Sequence, residues 1–288
     1  MSVLLLSLPL LYSHLAWADD VSILAMDEFE GSSTQAIGSE DYVSVGYQTL
    51  VKELGATIAN KPMAPGETLG ISGFNIGFST TFSFIRTGTI DGTNPTGWDM
   101  AAEDEDPSVY LFIPWVTVRK GLPLSIEVGA NAGWIGASHT GVFGAWGRWG
   151  IVEGYRRIPD LSVQLGYAGY VGNDELELGV MDMSATLGYT LPFGSTKGIN
   201  QASFAPYVSV GQVTMHAAPR GDLSRTDLEG RVTEVTGFKK GDGFDKSFAP
   251  LQVGGGFRIV SGEFTATLAG TYVPNVVPTV SMGFGFTY

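Results

Sequence analysis

The chain has 288 residues, 40 of them glycine, with 11% aromatic residues, only 16% charged ones and a net charge of −13. A soluble domain carries about 25% charged residues, so this surface is too apolar for water, and the acidic balance excludes nucleic acid as a partner, because phosphates demand a basic surface. The absence of cysteine excludes disulfides, thiolate metal sites and cysteine nucleophiles.

The first residues, Val3 to Ala18, form an apolar block that ends Ala16-Trp17-Ala18 before Asp19-Asp20. That small-x-small end reads as a signal-peptidase site, with residues 1–18 removed and the mature chain starting near Asp19. No Lys or Arg precedes the block, which points to a start upstream of Met1; Pro9 in mid-run counts against a buried helix. Residues 19–70 differ in character from the remainder of the chain. Asp27, Glu28, Glu30, Glu40 and Asp41 make their start acidic and irregular. Tyr47, Leu50, Val51, Leu54 and Ile58 then fall at helical spacing before Pro62 and Pro65. The spacing predicts a short amphipathic helix over 43–60.

From residue 71 onward the dominant period is two. Phe74, Ile76, Phe78, Phe82 and Phe84 alternate with Gly73, Asn75, Gly77, Ser79, Thr81 and Ser83. One face is aromatic and the other small and polar, as in a strand between two different media. The pattern recurs and predicts ten strands, near 71–86, 107–119, 122–136, 140–152, 160–171, 175–191, 203–216, 248–260, 262–273 and 275–288. Each is ~10–17 residues long, enough to cross a bilayer when tilted, whereas no stretch after the first twenty residues has the ~18 consecutive apolar residues of a membrane helix. The two longest connections, 87–106 and 217–247, come after odd strands, and the short turns at Arg119-Lys120-Gly121, 154–159 and Ser261-Gly262 come after even ones. That parity fits an even-stranded barrel with both ends on one side. Pro114, Pro206, Pro250 and Pro278 sit badly, because a closed barrel has no edge on which to hide a missing donor; they mark bulges, strand ends or displaced boundaries.

At the C-terminus Val280, Met282, Phe284, Phe286 and Tyr288 occupy alternate positions, and the chain stops on an aromatic residue. This resembles the terminal strand of Gram-negative outer-membrane proteins, which the insertion machinery recognises by an aromatic last residue and alternating apolar positions. The resemblance is to that broad, porin-like class and spans roughly residues 71–288. Within it, Leu69-Gly70-Ile71-Ser72-Gly73-Phe74-Asn75-Ile76-Gly77 is similar to segments of uncharacterised proteobacterial outer-membrane proteins, a likeness that brings no activity with it. The expectation is therefore an all-β chain: an antiparallel transmembrane β-barrel of about ten strands (eight to twelve) over 71–288, in the bacterial outer membrane. Residues 19–70 form an N-terminal periplasmic or plug segment with a short helix. The helix's apolar stripe must be covered by the barrel lumen, by the inner-membrane interface or by a partner.

Candidate chemistry is sparse. Lipid-cutting membrane barrels resemble one another in using Ser with His near the outer rim, and here His139 and His216 fall at outer strand ends, with Ser138 beside His139. Adjacent strand residues point to opposite faces, so Ser138 and His139 do not form a nucleophile–base pair. No catalytic residue and no cofactor is predicted. Asp99, Glu103, Asp104, Glu105 and Asp106 make an acidic outer loop, a weak calcium candidate without the ligand alternation of a dedicated site; a solvated loop is the plainer reading. Gly241-Asp242-Gly243-Phe244-Asp245 is too irregular for a metal, and Gly254-Gly255-Gly256 lies in an alternating strand rather than a phosphate loop. Trp115, Trp134, Trp146 and Trp149, with Tyr110, Tyr155, Tyr167 and Tyr170, fit interfacial aromatic girdles. Inward positions are mostly Gly, Ser, Thr, Asn and Gln, with Glu127, Asn131, Arg148, Gln164, Arg258 and Glu263 as lumen-facing candidates. Such a lining, in a barrel of ten strands, favours a narrow channel for passive passage of small or hydrophobic solutes over an ion-selective porin. The alternative is a closed barrel that serves as an anchor or interaction partner. Expected partners are membrane lipid and lipopolysaccharide, the insertion machinery and such a solute.

Overall fold

The computed structural model describes residues 21–27, 36–37, 40–90, 94–102, 107–135, 140–154, 158–193, 202–220, 228–238 and 245–288. The expected signal segment, 1–18, lies outside the described residues. Ten long strands succeed one another: β1 Phe74–Phe84, β2 Tyr110–Leu122, β3 Ile126–Ile135, β4 Thr140–Val152, β5 Asp160–Val171, β6 Leu176–Gly188, β7 Ala202–Pro219, β8 Leu251–Ser261, β9 Phe264–Val273 and β10 Val277–Thr287. Each pairs antiparallel with its sequence neighbours. β10 pairs with β1, from Thr279↔Ser83 to Thr287↔Asn75, and so closes an up-and-down barrel with no free edge. Phe74 and Tyr288 exchange two backbone hydrogen bonds, of 2.9 and 2.8 Å, that lengthen this seam.

The reason these segments are strands is visible in their two faces. Outward positions carry Phe78, Phe112, Val116, Phe143, Trp149, Leu165, Met183, Val210 and Phe284, all exposed. Among outward positions on the ten strands the charged residues are Lys120 and Glu177, near opposite ends of the wall. A continuous apolar exterior of this extent is foreign to water-soluble monomers and matches a hydrocarbon solvent. Val280, Met282, Phe284, Phe286 and Tyr288 all stand on the outer face at the closing strand.

The strand bounds shift by a few residues from those expected. Arg119-Lys120-Gly121 is not a turn; it belongs to β2, and residues 123–125 make the turn, with Leu124 and Ser125 in the left-handed region at φ 63° and 56°. The prolines find places that a single strand's pattern does not show. Pro114 lies one residue beyond the β2–β3 ladder, which ends at Trp115↔Gly133. Pro206 lies one residue beyond the β7–β6 ladder, which ends at Tyr207↔Gly188. Pro278 precedes the first β10–β1 pair, and Pro250 precedes β8. Staggered strand ends thus supply local edges inside a closed sheet, where a missing N–H breaks no ladder bond.

Helix α1, Tyr42–Ile58, lies inside the barrel, packed against β5, β6, β7 and β10. Of the three coverings open to the apolar stripe, the lumen is the one observed. Asp41 caps the helix, its carboxylate accepting from Ser44 N at 3.2 Å, and Lys61 closes the other end by donating to Thr57 O and Ala59 O at 3.2 and 3.1 Å. Tyr47, Leu50, Val51, Leu54 and Ile58 are almost completely buried. They share one core with lumen-facing Leu111, Ile113, Val142, Leu178, Val180, Val213 and Met215. A short helix in the connection after β1, α2 (Gly97–Ala101), covers the top of α1. There Gly97 meets Gly46 so closely that a Cβ on Gly97 would stand 2.1 Å from Gly46 O, so Gly97 accepts no larger residue without separating the helices.

If α1 is part of the barrel's own core, Leu54→Ala should lower stability by about 2–5 kcal/mol, as buried leucine truncations do. Urea unfolding of the detergent-solubilised barrel measures this; an unchanged midpoint would mean a helix that rests in the lumen without packing.

Candidate functional site

The lumen is the place where functional side chains gather, and the plug sorts it into two halves. The two longest connections, 85–109 and 220–250, leave from the same end as the 136–139 and 172–175 connections; at the other end 123–125, 153–159 and 262–263 are short and 189–201 is of intermediate length. Val21 and Ser22 are held at the long-loop end: Asn173 Nδ2 donates to Val21 O at 2.8 Å, and Ser22 Oγ donates to Glu175 at 3.0 Å. From there α1 descends, and residues 59–73 continue to the short-turn end, where β1 begins. The N-terminal segment therefore crosses the whole barrel.

In the long-loop half the wall facing α1 is apolar, with one buried acid on the helix. Glu53 is fully buried, accepts from Trp98 Nε1 at 2.8 Å and Arg86 N at 3.0 Å, and pairs with Arg86 Nε at 3.1 Å. This carboxylate bolts α1 to the first long connection. Nothing in the helical spacing distinguishes it from an ordinary solvent-facing glutamate.

Below α1 the lumen turns polar. Asn60 donates to Asp182 at 2.7 Å through its side chain and at 3.3 Å through its backbone, and it accepts from Asn131 Nδ2 at 3.0 Å. Glycine makes room for it: a Cβ at Gly144 would stand 2.5 Å from Asn60 Oδ1, and one at Gly166 would stand 2.7 Å from Asn60 Nδ2. Lower still, Glu127 pairs with Arg119 at 3.5 Å and Arg148 at 3.9 Å while accepting from Leu69 N at 3.0 Å. Arg148 also donates to Gln164 Oε1 at 3.0 Å and Pro65 O at 3.4 Å, and it stacks 5.2 Å from the Trp146 ring. Thr68 N donates to Glu153 at 2.6 Å, tying the segment to the short-turn rim. Backbone donors that a loose tail would give to water are thus taken up by the wall.

Of the expected lumen residues, Glu127, Asn131, Arg148, Gln164 and Arg258 face inward, and all but Asn131 are buried. Glu263 is instead exposed in the hairpin turn with Gly262, where strand alternation stops. Arg119, Asn60 and Asp182 join the same network; Asp182 falls on the small polar face of its alternating strand, between Met181 and Met183, whereas Arg119 falls in an expected turn and Asn60 carries no pattern. The aromatic girdle needs correction: Trp134, Trp149 and Tyr167 are exposed on the outer face, but Trp115 and Tyr170 are buried and Trp146 turns inward. Tyr155 lies outside the described residues. Strand parity, rather than aromatic character, decides their side.

The remaining candidates do not converge. His216 sits half-exposed at the long-loop end with Nδ1 3.8 Å from Glu234, and Ser138 and His139 lie outside the described residues. Asp99 belongs to α2, where it accepts from Gly88 N at 2.8 Å and pairs with the Thr96 hydroxyl; Glu103, Asp104, Glu105 and Asp106 lie outside the described residues. Among the described residues no group of three or more His, Asp or Glu is placed to hold a metal ion.

Glu127→Ala should strip Arg119 and Arg148 of their shared carboxylate and cost about 3–5 kcal/mol in denaturant unfolding, as breaking a buried pair does. A loss below ~1 kcal/mol would mean that water already screens the pair.

No protein-family model matches the chain, and no curated protein does. Solved structures similar in fold are outer-membrane barrels. The KdgM porin shares 5% identity over 74% of this chain and 99% of its own, with a TM-score of 0.32. Omp33 of Acinetobacter baumannii shares 9% over 77% and 100%, with a TM-score of 0.28. The transport unit of the Escherichia coli autotransporter AIDA-I shares 11% over 85% and 98%, with a TM-score of 0.34. At this identity and superposition the likeness is one of fold and carries nothing about function.

Proposed function

We propose that the protein is an outer-membrane β-barrel closed at rest, an anchor that holds its long connections and its N-terminal residues at the outer face. The observation that carries this reading is the apolar core shared by α1 and the lumen wall. Burial of Tyr47, Leu50, Val51, Leu54 and Ile58 stabilises the inserted helix by roughly 1.5–3 kcal/mol per side chain, and withdrawal would leave both the helix and the wall facing water. A gate meant to move in the absence of a trigger is built with a wetter interface. The assignment of sides rests on loop length, since barrels of this kind keep short turns toward the periplasm and long ones outward. Lipid meets the apolar exterior, lipopolysaccharide meets the outer connections, and the insertion machinery reads β10.

A narrow solute path is the second reading. It draws on the wall of β1 and β10, where Ser79, Thr81, Ser281 and Gly283 face inward as a small polar strip, and on a cavity of about 90 Å³ beside residues 59–64. Along that strip the paired side chains of the neighbouring strands β1 and β10 bond to each other, Thr81 with Ser281 at 3.2 Å and Ser83 with Thr279 at 2.9 Å.

Planar-bilayer conductance of the refolded mature chain decides between them, beside a version lacking residues 19–60 and with folding checked by circular dichroism. The full mature chain should show no steady current steps, and the deletion should conduct or fail to fold. Regular steps from the full chain would overturn the closed reading in favour of the solute path.

A further inference from the structure

The cavity beside residues 59–64 has a composition that the network around it does not explain. Every ionisable side chain lining it is basic: Lys61, Arg119, Arg148 and Arg258. Three of the four have local partners. Lys61 is held by carbonyls at the end of α1, and Arg119 and Arg148 divide the one carboxylate of Glu127, whose second oxygen is already engaged by Leu69 N. Asp182 is occupied by Asn60, and Glu67 acts on Arg258 only from beyond 4.0 Å.

Arg258 is different. It is nine-tenths buried, its Nε finds no acceptor, and among the described residues no carboxylate lies within 4.0 Å of it. Arg148 Nε is likewise without an acceptor. A guanidinium stays charged in proteins, so it cannot escape the cost of burial by losing a proton. Buried charge is retained only where something compensates it. The other polar groups of the lining are uncharged, among them Asn75 and Asn131, which give their amide donors to Phe286, Thr287 and Asn60, and the hydroxyls of Thr117, Thr265 and Thr267. Planar N–H forks with hydroxyl donors around them are the chemistry that recognises a carboxylate or a phosphate.

We infer that this cavity binds a small oxyanion, inorganic phosphate or the carboxylate of a small acid, with Arg258 as its principal contact and Arg119 and Arg148 flanking it. The site goes beyond the closed-barrel reading, because binding from one end of the lumen needs no passage through it.

The test uses the folded mature barrel in detergent. Thermal melting is followed in chloride at constant ionic strength, with inorganic phosphate or acetate replacing chloride. Ligand that binds only the folded state raises the melting temperature in a saturable way. At least one of the two oxyanions should do so, and the tighter one names the source. Equilibrium dialysis against radiolabelled phosphate or acetate should saturate near one anion per barrel. Arg258→Gln should fold at least as well as the parent in chloride alone, since it removes an unpaired charge, and should weaken the oxyanion at least tenfold. Arg258→Lys, which keeps the charge without the fork, covers the case in which the glutamine variant fails to fold, and should weaken it severalfold. Absence of any oxyanion-specific shift in the parent would overturn the proposal. So would an equal shift in the Arg258 variants.

Discussion

Closure of the sheet is the constraint on which every other feature depends. Once β10 pairs with β1, every side chain on the wall must face either an apolar exterior or a lumen shared with the opposite strands, and no edge remains for compromise. The exterior is simple: branched and aromatic residues recur with hardly a charge. The lumen is not, because ten strands enclose a space too small for bulk water and too large for the wall's own small residues to fill. The N-terminal segment is the missing volume. Its helix supplies apolar bulk where the wall is apolar, and its extended continuation supplies amides and carbonyls where the wall is polar.

The match between segment and wall runs residue by residue. Glycine appears at Gly144 and Gly166 because Asn60 needs the room, and Met215 lies against Gly55 because the helix comes close there. Glu53 is tolerated in an apolar half since Trp98 and Arg86 converge on it from a connection 33 to 45 residues further along the chain. These pairings give the plug a single depth and rotation, which nonspecific hydrophobic filling alone would not do.

Much of this architecture is legible in the sequence. A period of two repeated over ten segments defines both faces of the wall, and the stripe Tyr47, Leu50, Val51, Leu54 and Ile58 defines the buried face of the helix. The hidden part depends on neighbours distant in sequence. Whether a proline breaks a ladder is decided by where the adjoining strand stops, which Pro114 and Pro206 illustrate. Whether a glutamate is solvated or buried is decided by what packs over it, which Glu53 illustrates. Trp115, Trp146 and Tyr170 defeat the girdle expectation for another reason: the habit of aromatic residues to seek the interface yields to the parity of their own strands. Arg258 is recognisable in the sequence as an inward charge, but its lack of a partner emerges only when the whole ring of strands is assembled.

The direction in which the N-terminal segment crosses the lumen restricts the order of events in assembly. Residues 21–27 are fixed at the long-loop end, yet the segment runs straight into β1 at the other. A barrel that sealed its β10–β1 seam first would have to thread residues 21–73, bulky α1 included, lengthwise through its bore after closure. The alternative is that the sheet curls around a segment already lying against it, so that the seam shuts last and the plug acts as the mandrel on which the cylinder is wound.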